Sequence, residues 1–494
     1  MGTFNKLTAK ISLLWLLPLY LLPRLVFILR YPIFNDESTY VRYGQVTVRG
    51  GYIWYSLVMS GKQPLPYVLY GLFSLLMYDP LIAARFVSIL CGLGVFTLLY
   101  YLLNKSINKE SAIVGVILYA VSPFSVFYDS LALVETMISL CFMLILTLLY
   151  LYMNKKDVRV LILCSIVFGI SLWIKSTSLL FSVLFIVYFL LTIKSEHFSL
   201  KYALTFFGII LGGAFFVVLP LVMRPEFART LSMPSEYTFT LGELLSVPWQ
   251  AWRTNIVNIL LVVIGYLSPL VIGFVTMRKS DIKNTDMFIR LILISTVTLL
   301  CLISFLARYA QGRYLYFMIG PIVMSLVFLF HSRRMPVIIS ALVSGAFSLW
   351  LVIFPSSYFL HLPQTYAFAS DTDQYVTGWA SGYGVREAIE YIKNDAGDRR
   401  AFVAVRWDSG NPEDAALVYL NPPYAKLTTW YLDKRLKMSE LILKQYEGKP
   451  FYLLTRKGQK GDFGDMFTLV RSFDKPGGKE SVEVYKRISI TNNQ

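Results

Sequence analysis

Charged side chains stand directly beside apolar runs at several points along this chain. Asp36 and Glu37 follow the first such run, and Glu135 and Lys175 adjoin later ones. Carboxylates can act as general bases or bind a divalent ion, while lysine and arginine stabilise a departing phosphate. Together these chemical types suit the transfer of a group from a phosphorylated lipid. The full set comprises Asp36, Glu37, Lys62, Asp129, Glu135, Lys175, Arg308 and Arg313.

Each member of this set also has a simpler explanation. A single acid or base beside an apolar run is commonly a solvated helix end or a snorkelling cation. The set is distinguished by its placement relative to the membrane. If the N-terminus is inside, all eight residues fall on the outer side. Ionisable groups at membrane depth are costly and often functional, so this shared placement favours a functional interpretation.

Long apolar runs make up most of the 494-residue chain, which is 56% hydrophobic and 16% aromatic, with a mean hydropathy of +0.57. A helix that crosses a membrane needs roughly 20 mostly apolar residues. The sequence therefore predicts a polytopic α-helical membrane protein with about 11 spans. The predicted spans are residues 11–30, 80–103, 111–127, 131–153, 159–174, 177–193, 202–223, 255–277, 289–306, 314–331 and 336–354.

The formal net charge of +16 is distributed between the apolar runs. No single basic domain gathers it, so nucleic acid is not an expected partner. The short connections at residues 104–110, 154–157, 194–201, 278–286 and 331–334 each carry lysine or arginine, as cytoplasmic loops do. We therefore expect a multi-pass protein of the cell membrane with a cytoplasmic N-terminus. An odd number of spans then places the C-terminal part outside the cytoplasm.

Cysteine and histidine are too few and too scattered for a disulfide framework or a histidine-based metal centre. The four cysteines all lie inside apolar runs, and the three histidines are far apart in sequence. The first apolar run follows Lys6 and Lys10 as a signal sequence would, but no small-residue cleavage site comes after it. We expect it to be a retained span.

Two long outer connections and a change of composition divide the chain. The connection at residues 31–79 contains two helix-like stretches suited to the membrane interface, and the one at 224–254 is either a lid or a simple connector. Residues 364–494 hold 19 basic and 17 acidic residues, and they alternate helix-like and strand-like stretches. The sequence thus predicts a membrane domain over residues 1–363 and a soluble extracytoplasmic α/β domain over residues 364–494.

Several short motifs, in this order and spacing, resemble those of GT-C glycosyltransferases. The similarity is greatest to the protein O-mannosyltransferase and aminoarabinose-transferase group, and it covers most of residues 11–330. The motifs are Phe34-Asn-Asp-Glu-Ser-Thr-Tyr, Gly61-Lys-Gln-Pro-Leu-Pro-Tyr, Ala84-Arg-Phe-Val-Ser, Ser122-Pro-Phe, Leu131-Ala-Leu-Val-Glu-Thr, Trp173-Ile-Lys-Ser and Arg313-Tyr-Leu-Tyr.

The resemblance implies a polyprenyl-phosphate sugar donor and a single inverting displacement. Asp36 would be the base that takes the proton of the acceptor hydroxyl, with Glu37 in support. Glu135 and Asp129 would bind the acceptor or a metal, and Asp36, Glu37 and Glu135 could together hold Mg²⁺ or Mn²⁺. The cations expected at the donor phosphate are Lys62, Lys175, Arg308 and Arg313.

The chain departs from the aminoarabinose transferases at one informative place. Those enzymes tend to read Asp-Glu-Ala-Arg-Tyr, whereas this chain reads Asp36-Glu-Ser-Thr-Tyr with its arginine at Arg42. This departure argues against an aminoarabinose specificity, and the transferred group is expected to be a hexose or a pentose. The acceptor is a hydroxyl of a protein, a lipid or a glycan. The tail motif Tyr375-Val-Thr-Gly-Trp-Ala-Ser-Gly-Tyr-Gly-Val-Arg-Glu resembles segments of uncharacterised relatives and names no acceptor.

Two other functions fit part of the pattern. A transporter or flippase for a lipid-linked or anionic substrate would also need cations facing a cavity, but the paired broken spans common in transporters are not evident in the sequence. A non-catalytic assembly subunit would use the soluble tail to recruit partners. The long first outer loop and the outer soluble domain favour catalysis over both.

Overall fold

The computed structural model describes residues 13–193, 199–232, 237–267, 286–330, 334–406, 410–420, 427–432, 444–460 and 466–487. Most of them are helical. In chain order the helices are α1 Leu13–Arg30, α2 Asn35–Gly50, α3 Tyr55–Ser60, α4 Leu65–Ser74, α5 Pro80–Ser106, α6 Lys109–Val121, α7 Pro123–Asp129, α8 Val134–Lys155, α9 Val158–Ile174, α10 Ser182–Ile193, α11 Leu200–Val222, α12 Phe227–Ser232, α13 Leu241–Leu245, α14 Trp249–Leu267, α15 Met287–Leu306, α16 Gly312–Leu315, α17 Ile319–Phe330, α18 Arg334–Ile353, α19 Pro355–Leu360, α20 Tyr366–Thr372, α21 Val385–Ala396 and α22 Glu413–Leu420. Short 3₁₀ turns at Ser176–Phe181 and Tyr316–Met318 lead into α10 and α17.

Each of the eleven predicted spans coincides with helix in the described part of the chain. Seven helical stretches there are long and apolar enough to cross a membrane, and the bent pair α6 and α7 raises the number to eight. The seven are Leu13–Arg30, Pro80–Ser106, Val134–Lys155, Ser176–Ile193, Leu200–Val222, Met287–Leu306 and Gly312–Leu329. The chain is therefore a multi-pass membrane protein.

Three of the predicted spans, at residues 159–174, 255–277 and 336–354, are not among these eight. Helix α9 has 17 residues, below the roughly 20 that a span needs. Helix α14 carries Gln250, Arg253 and Asn255, which lower its hydropathy, and the predicted run continues beyond Leu267 into residues outside the described part. The apolar stretch described in α18 is Ile338–Ile353.

The 63° bend between α6 and α7 follows from the Ser122-Pro123 sequence. Proline has no N–H to continue the ladder of α6, and it holds the preceding residue in an extended conformation. Ser122 accordingly has φ −69° and ψ 129°, and its hydroxyl accepts the Phe124 N–H. The same hydroxyl donates to the carbonyl of Tyr266 at 2.9 Å. The bend directs Asp129, at the end of α7, into the helical core.

The chain forms two compact units. The first holds residues 1–29, 51–68 and 85–353, and the second holds residues 30–50, 69–84 and 354–494. In the first unit α9 packs between α8 and α11. A side chain at Gly169 of α9 would lie 2.6 Å from the Cβ of Val217 of α11, so this close approach requires glycine.

The second unit contains the predicted α/β fold. Its five strands are β1 Ala401–Arg406, β2 Leu427–Leu432, β3 Phe451–Arg456, β4 Phe467–Asp474 and β5 Ser481–Arg487. Their order is β2-β1-β3-β5-β4, with β1 parallel to β2 and β3, and β5 antiparallel to β3 and β4. Helix α21 buries one face along Val385, Ala388, Ile389, Ile392 and Ala396, a helical periodicity.

The compact units do not follow the predicted division at residue 363. The second unit also contains residues 30–50 and 69–84, which belong to the first predicted outer loop. Helix α2, which carries Asp36 and Glu37, packs against α22 in this unit, and the Thr39 hydroxyl donates to the Asp414 carboxylate at 3.1 Å. The predicted domain boundary stays a prediction.

Asp395 of α21 ties that helix to the sheet and makes its stability depend on pH. Its carboxylate lies 2.7 Å from the Lys486 ammonium of β5 and accepts the Tyr452 hydroxyl of β3. Burial opposes ionisation, but Lys486 and Tyr452 outweigh it and hold the pKa of Asp395 below its ordinary value. The stabilisation is therefore present above an unfolded-state pKa of about 3.9 and is lost as pH falls through the lower folded-state pKa.

We expect Lys486→Met to lower the thermal unfolding temperature at pH 7, and the difference from the natural protein to shrink below about pH 4. Tryptophan fluorescence of the detergent-purified protein across this range measures it. Lys393→Met, which removes a pair within one turn of α21 whose Glu390 side chain is 56% exposed, is the matched control and should change little. A difference that stays constant with pH would contradict the linkage to Asp395.

Candidate functional site

Three of the predicted site residues meet in the first unit. Glu135 lies in the first turn of α8, Lys175 follows the end of α9, and Arg313 lies in α16. One carboxylate oxygen of Glu135, Oε1, accepts from Lys175 Nζ at 3.1 Å and from Arg313 Nε at 3.3 Å. The sequence predicted all three residues for the site, and the fold brings them together across 178 positions of chain.

A cavity of about 270 Å³ opens at this cluster. Glu135 is 3% exposed, while the side chains of Lys175 and Arg313 keep 25% and 14% of their surface accessible. The second carboxylate oxygen, Oε2, has no hydrogen-bond partner among the residues that the structure describes. The polar lining consists of Glu135, Lys175, Ser176, Thr177, Tyr237, Thr238, Arg313 and Tyr314.

The cluster carries two positive charges against one negative charge. A phosphate entering the cavity would meet two cations able to donate charge-assisted hydrogen bonds, and arginine can do so through parallel N–H groups. Low-dielectric walls strengthen this attraction relative to water. The arrangement is therefore suited to binding an anion, with the Glu135 carboxylate as the counter-ion of the two cations.

Asp36 and Glu37 differ in exposure although they are neighbours at the start of α2. Glu37 is fully buried, and its carboxylate accepts the backbone N–H of Phe34 at 3.0 Å, so it caps the helix. Asp36 is partly exposed. A carboxylate in the first turn is also stabilised by the positive end of the helix dipole. Of the two acids, Asp36 is therefore the one that a reactant could reach.

Asp129 lies in a closed network that sequence reasoning did not foresee. It is fully buried, and Arg24 Nε donates to it at 3.0 Å. The hydroxyls of three tyrosines also donate to its carboxylate; they are Tyr20, Tyr119 and Tyr316. These contacts occupy both carboxylate oxygens, which favours a structural role over acceptor binding. Arg24 could have indicated this network from the sequence alone, because a cation inside an apolar span needs a buried partner.

The other two predicted phosphate cations lie elsewhere in the first unit. Arg308 Nη2 donates to Glu243 Oε2 at 2.8 Å, and its guanidinium lies 5.5 Å from the ring centre of Phe239. Backbone hydrogen bonds from Phe239 to Leu306 and from Arg308 to Tyr237 fasten this part of the predicted lid beside the cavity. Lys62 follows Gly61, which ends α3 in the left-handed conformation, and is partly exposed.

The acids predicted to hold Mg²⁺ or Mn²⁺ do not fit a metal ion. Glu135 already accepts from two cations, which would repel a third charge, and Glu37 is used as a helix cap. In the described part of the chain, no three His, Cys, Asp or Glu side chains are grouped so that they could hold an ion.

Comparison with known proteins confirms the GT-C resemblance at the level of fold. A family model of dolichyl-phosphate-mannose-protein mannosyltransferases matches residues 62–223, a stretch that includes Lys62, Glu135 and Lys175. The apo crystal structure of ArnT from Cupriavidus metallidurans is similar with a TM-score of 0.62 and 12% identity, covering 96% of this chain and 98% of that one. The chain therefore has the fold of the GT-C membrane glycosyltransferases.

Two further solved structures are similar. ArnT from Cupriavidus metallidurans bound to undecaprenyl phosphate has a TM-score of 0.57 and 11% identity, covering 97% of this chain and 99% of that one. The Archaeoglobus fulgidus oligosaccharyltransferase complex with Zn and sulfate has a TM-score of 0.52 and 12% identity, covering 83% of this chain and 62% of the other. No curated protein matches the sequence at a significant level.

The Asp129 network generates a stability prediction. Arg24→Met should destabilise the protein by about 3 to 5 kcal/mol, because it leaves a buried charge without its partner. The double variant Arg24→Met/Asp129→Asn should recover part of that loss, since the tyrosine hydroxyls keep an acceptor and no net charge is buried. Thermal unfolding in detergent measures both.

The matched control for this prediction is Arg159→Met, which breaks a pair with Asp157 whose arginine is 85% exposed. It should cost less than about 1 kcal/mol. Strictly additive losses in the double variant would contradict the network.

Proposed function

We propose that this protein is a membrane glycosyltransferase that moves a hexose or pentose from a polyprenyl-phosphate donor to an acceptor hydroxyl on the extracytoplasmic side. The observation that carries the proposal is the cluster of Lys175 and Arg313 on the buried Glu135, at a cavity in the first unit. Two further facts support it. The family model of dolichyl-phosphate-mannose-protein mannosyltransferases covers two of these three residues, and a protein of the same fold binds undecaprenyl phosphate.

Lys175 and Arg313 are the proposed ligands of the donor phosphate. When the anion enters, its oxygens replace Glu135 Oε1 as acceptors for at least part of the cation hydrogen bonds. The two cations then neutralise the charge that develops on the phosphate as it leaves the sugar. Glu135 Oε2 has no hydrogen-bond donor among the described residues. It can therefore accept a hydrogen bond from a hydroxyl of the sugar.

Asp36 is the proposed general base. The acceptor oxygen bonds to the anomeric carbon while the bond from that carbon to the phosphate oxygen breaks, and the acceptor proton passes to the Asp36 carboxylate. Attack from the face opposite the leaving phosphate inverts the anomeric configuration. The partial exposure of Asp36 and the capping role of Glu37 support this division of roles.

The proposed orientation has a cytoplasmic N-terminus and an extracytoplasmic C-terminal domain. It rests on the lysines and arginines of the short connections, which follow the bias of cytoplasmic loops. Sugar nucleotides are made in the cytoplasm, so a site on the other side needs a donor carried by a lipid. The acceptor hydroxyl belongs to a protein, a lipid or a glycan of the cell envelope.

We expect Asp36→Asn to lower the rate of sugar transfer by about 10²- to 10⁴-fold, because the amide cannot take the acceptor proton. The assay follows release of undecaprenyl phosphate from its hexose and pentose esters in detergent with added membrane extract. Asp157→Asn is the matched control, because Asp157 caps α9 and asparagine caps equally well. A folded Asp36→Asn protein with an unchanged rate would remove Asp36 from the mechanism.

The same assay separates an enzyme from a transporter, since transport has no meaning without a sealed membrane. A natural protein that is folded in detergent and releases no undecaprenyl phosphate from any of these donors would contradict the proposed function.

Removal of either phosphate ligand should weaken use of the donor. We expect Arg313→Gln and Lys175→Met each to lower kcat/KM for the donor by at least about 10-fold, the scale of one charge-assisted hydrogen bond. Arg308→Gln should cost less, because the cavity is lined by Lys175 and Arg313 and not by Arg308. If Arg308→Gln lowered kcat/KM as much as Arg313→Gln, Arg308 would also bind the donor phosphate. That result would contradict the assignment of Lys175 and Arg313 as its ligands.

A further inference from the structure

Residues 378–382, within the tail motif singled out in the sequence, lie between a buried lysine and the start of α2. The lysine is Lys475, in the turn between β4 and β5, and it is 1% exposed. Among the residues that the structure describes, it is the one buried lysine. Every group in this arrangement belongs to the second compact unit.

The Lys475 ammonium is satisfied almost entirely by this segment. It donates to the carbonyl of Gly378 at 2.9 Å, to that of Ser381 at 2.8 Å and to that of Trp379 at 3.4 Å. An ammonium has three donors, so the three carbonyls take all of them. Burial lowers the pKa of Lys475 to about 8.

The opposite side of the segment contacts the backbone just before Asp36. The Ala380 carbonyl accepts the Asn35 N–H at 3.0 Å, and Asn411 Nδ2 donates both to Ala380 at 2.8 Å and to the Ile33 carbonyl at 3.1 Å. A Cβ on Gly382 would come within 1.7 Å of the Ile33 oxygen. Glycine is therefore required there for the two backbones to touch.

These two sets of contacts form one continuous path. The ammonium fixes three carbonyls of the segment, and the carbonyl between them fixes Asn35, the first residue of α2. Asp36 is the next residue, so the direction of its carboxylate follows the start of the helix. A displacement of about 1 Å at a reacting group can cost 10²-fold in rate.

We propose that Lys475, through residues 378–382, is a positioning residue that holds Asp36 in the orientation needed for proton abstraction. The inference rests on the proposed function, and it gives the C-terminal domain a part in the reaction. Asn411 supports the same contact from its other side. Both residues would act through the backbone at Asn35 and not directly on the reactants.

The test compares Lys475→Met with Lys479→Met, an exposed lysine of the same turn. We expect Lys475→Met to lower kcat for release of undecaprenyl phosphate by about 10- to 100-fold, with the donor KM within about twofold, because Lys175 and Arg313 are unchanged. Lys479→Met should leave both constants unchanged. A purely structural lysine would change the yield or the unfolding temperature without this separation of kcat from KM.

A second variant guards against misfolding of the first. Asn411→Ala leaves the turn between β4 and β5 intact and removes the two hydrogen bonds from the other side, so it should give the same fall in kcat at constant KM. A folded Lys475→Met or Asn411→Ala protein with kcat within about twofold of the natural protein would overturn the inference, because 10-fold is the smallest loss expected.

Hydrogen exchange measured by mass spectrometry tests the positioning role without an activity assay. In the natural protein, peptides over residues 31–40 should exchange slowly, and in Lys475→Met about 10-fold faster, while those over β1 should not change. Equal exchange in the two proteins would overturn the positioning role. If the natural protein transfers no sugar, the proposed function fails, and the exchange result still judges whether Lys475 holds the start of α2.

Discussion

A charge placed inside an apolar helical core has to be met by another protein group, since no water is available there to solvate it. Arg24 and Asp129 satisfy this constraint together, and both are fully buried. The pair joins α1 to the bend between α6 and α7, and three tyrosine hydroxyls complete it. The pair ties the end of α7, five residues before the start of α8, to α1.

The same constraint gives the candidate site its character. Glu135 is nearly as deeply buried as Asp129, but its partners are two cations that keep part of their surface open to a cavity. The outcome is a site with surplus positive charge and one carboxylate oxygen unused by the described residues. Asp129 is closed by its neighbours and Glu135 is not, so two acids of similar sequence context are suited to different roles.

The second unit shows a different solution to the problem of holding an acid in place. Helix α2 begins with an acid that caps it and an acid that stays accessible. Its first residue is bound by a backbone carbonyl of the segment that Lys475 holds. Residues 378–382, Asn411 and helix α22 thus contact α2 or the residues just before it, more than 300 residues earlier in the chain. Under the proposed function, these contacts give the C-terminal residues a part in orienting Asp36.

The sequence by itself determined the class of the protein. Apolar runs of span length, basic connections between them and an alternating near-neutral tail follow from composition and period, and these are local properties of the chain. The motifs were enough to indicate the GT-C resemblance and to name Glu135, Lys175 and Arg313. Their clustering is a matter of tertiary structure, because they come from three separate helical elements.

Tertiary structure alone decided which groups are partners. It paired Arg24 with Asp129, set Arg308 against Glu243, and grouped residues 30–50 with the C-terminal domain. None of these contacts joins neighbours in sequence, and periodicity cannot report a contact between distant segments. Because an unpaired charge is costly to bury, a charged residue within an apolar run predicts that a partner exists. Only the packing of the helices identifies that partner.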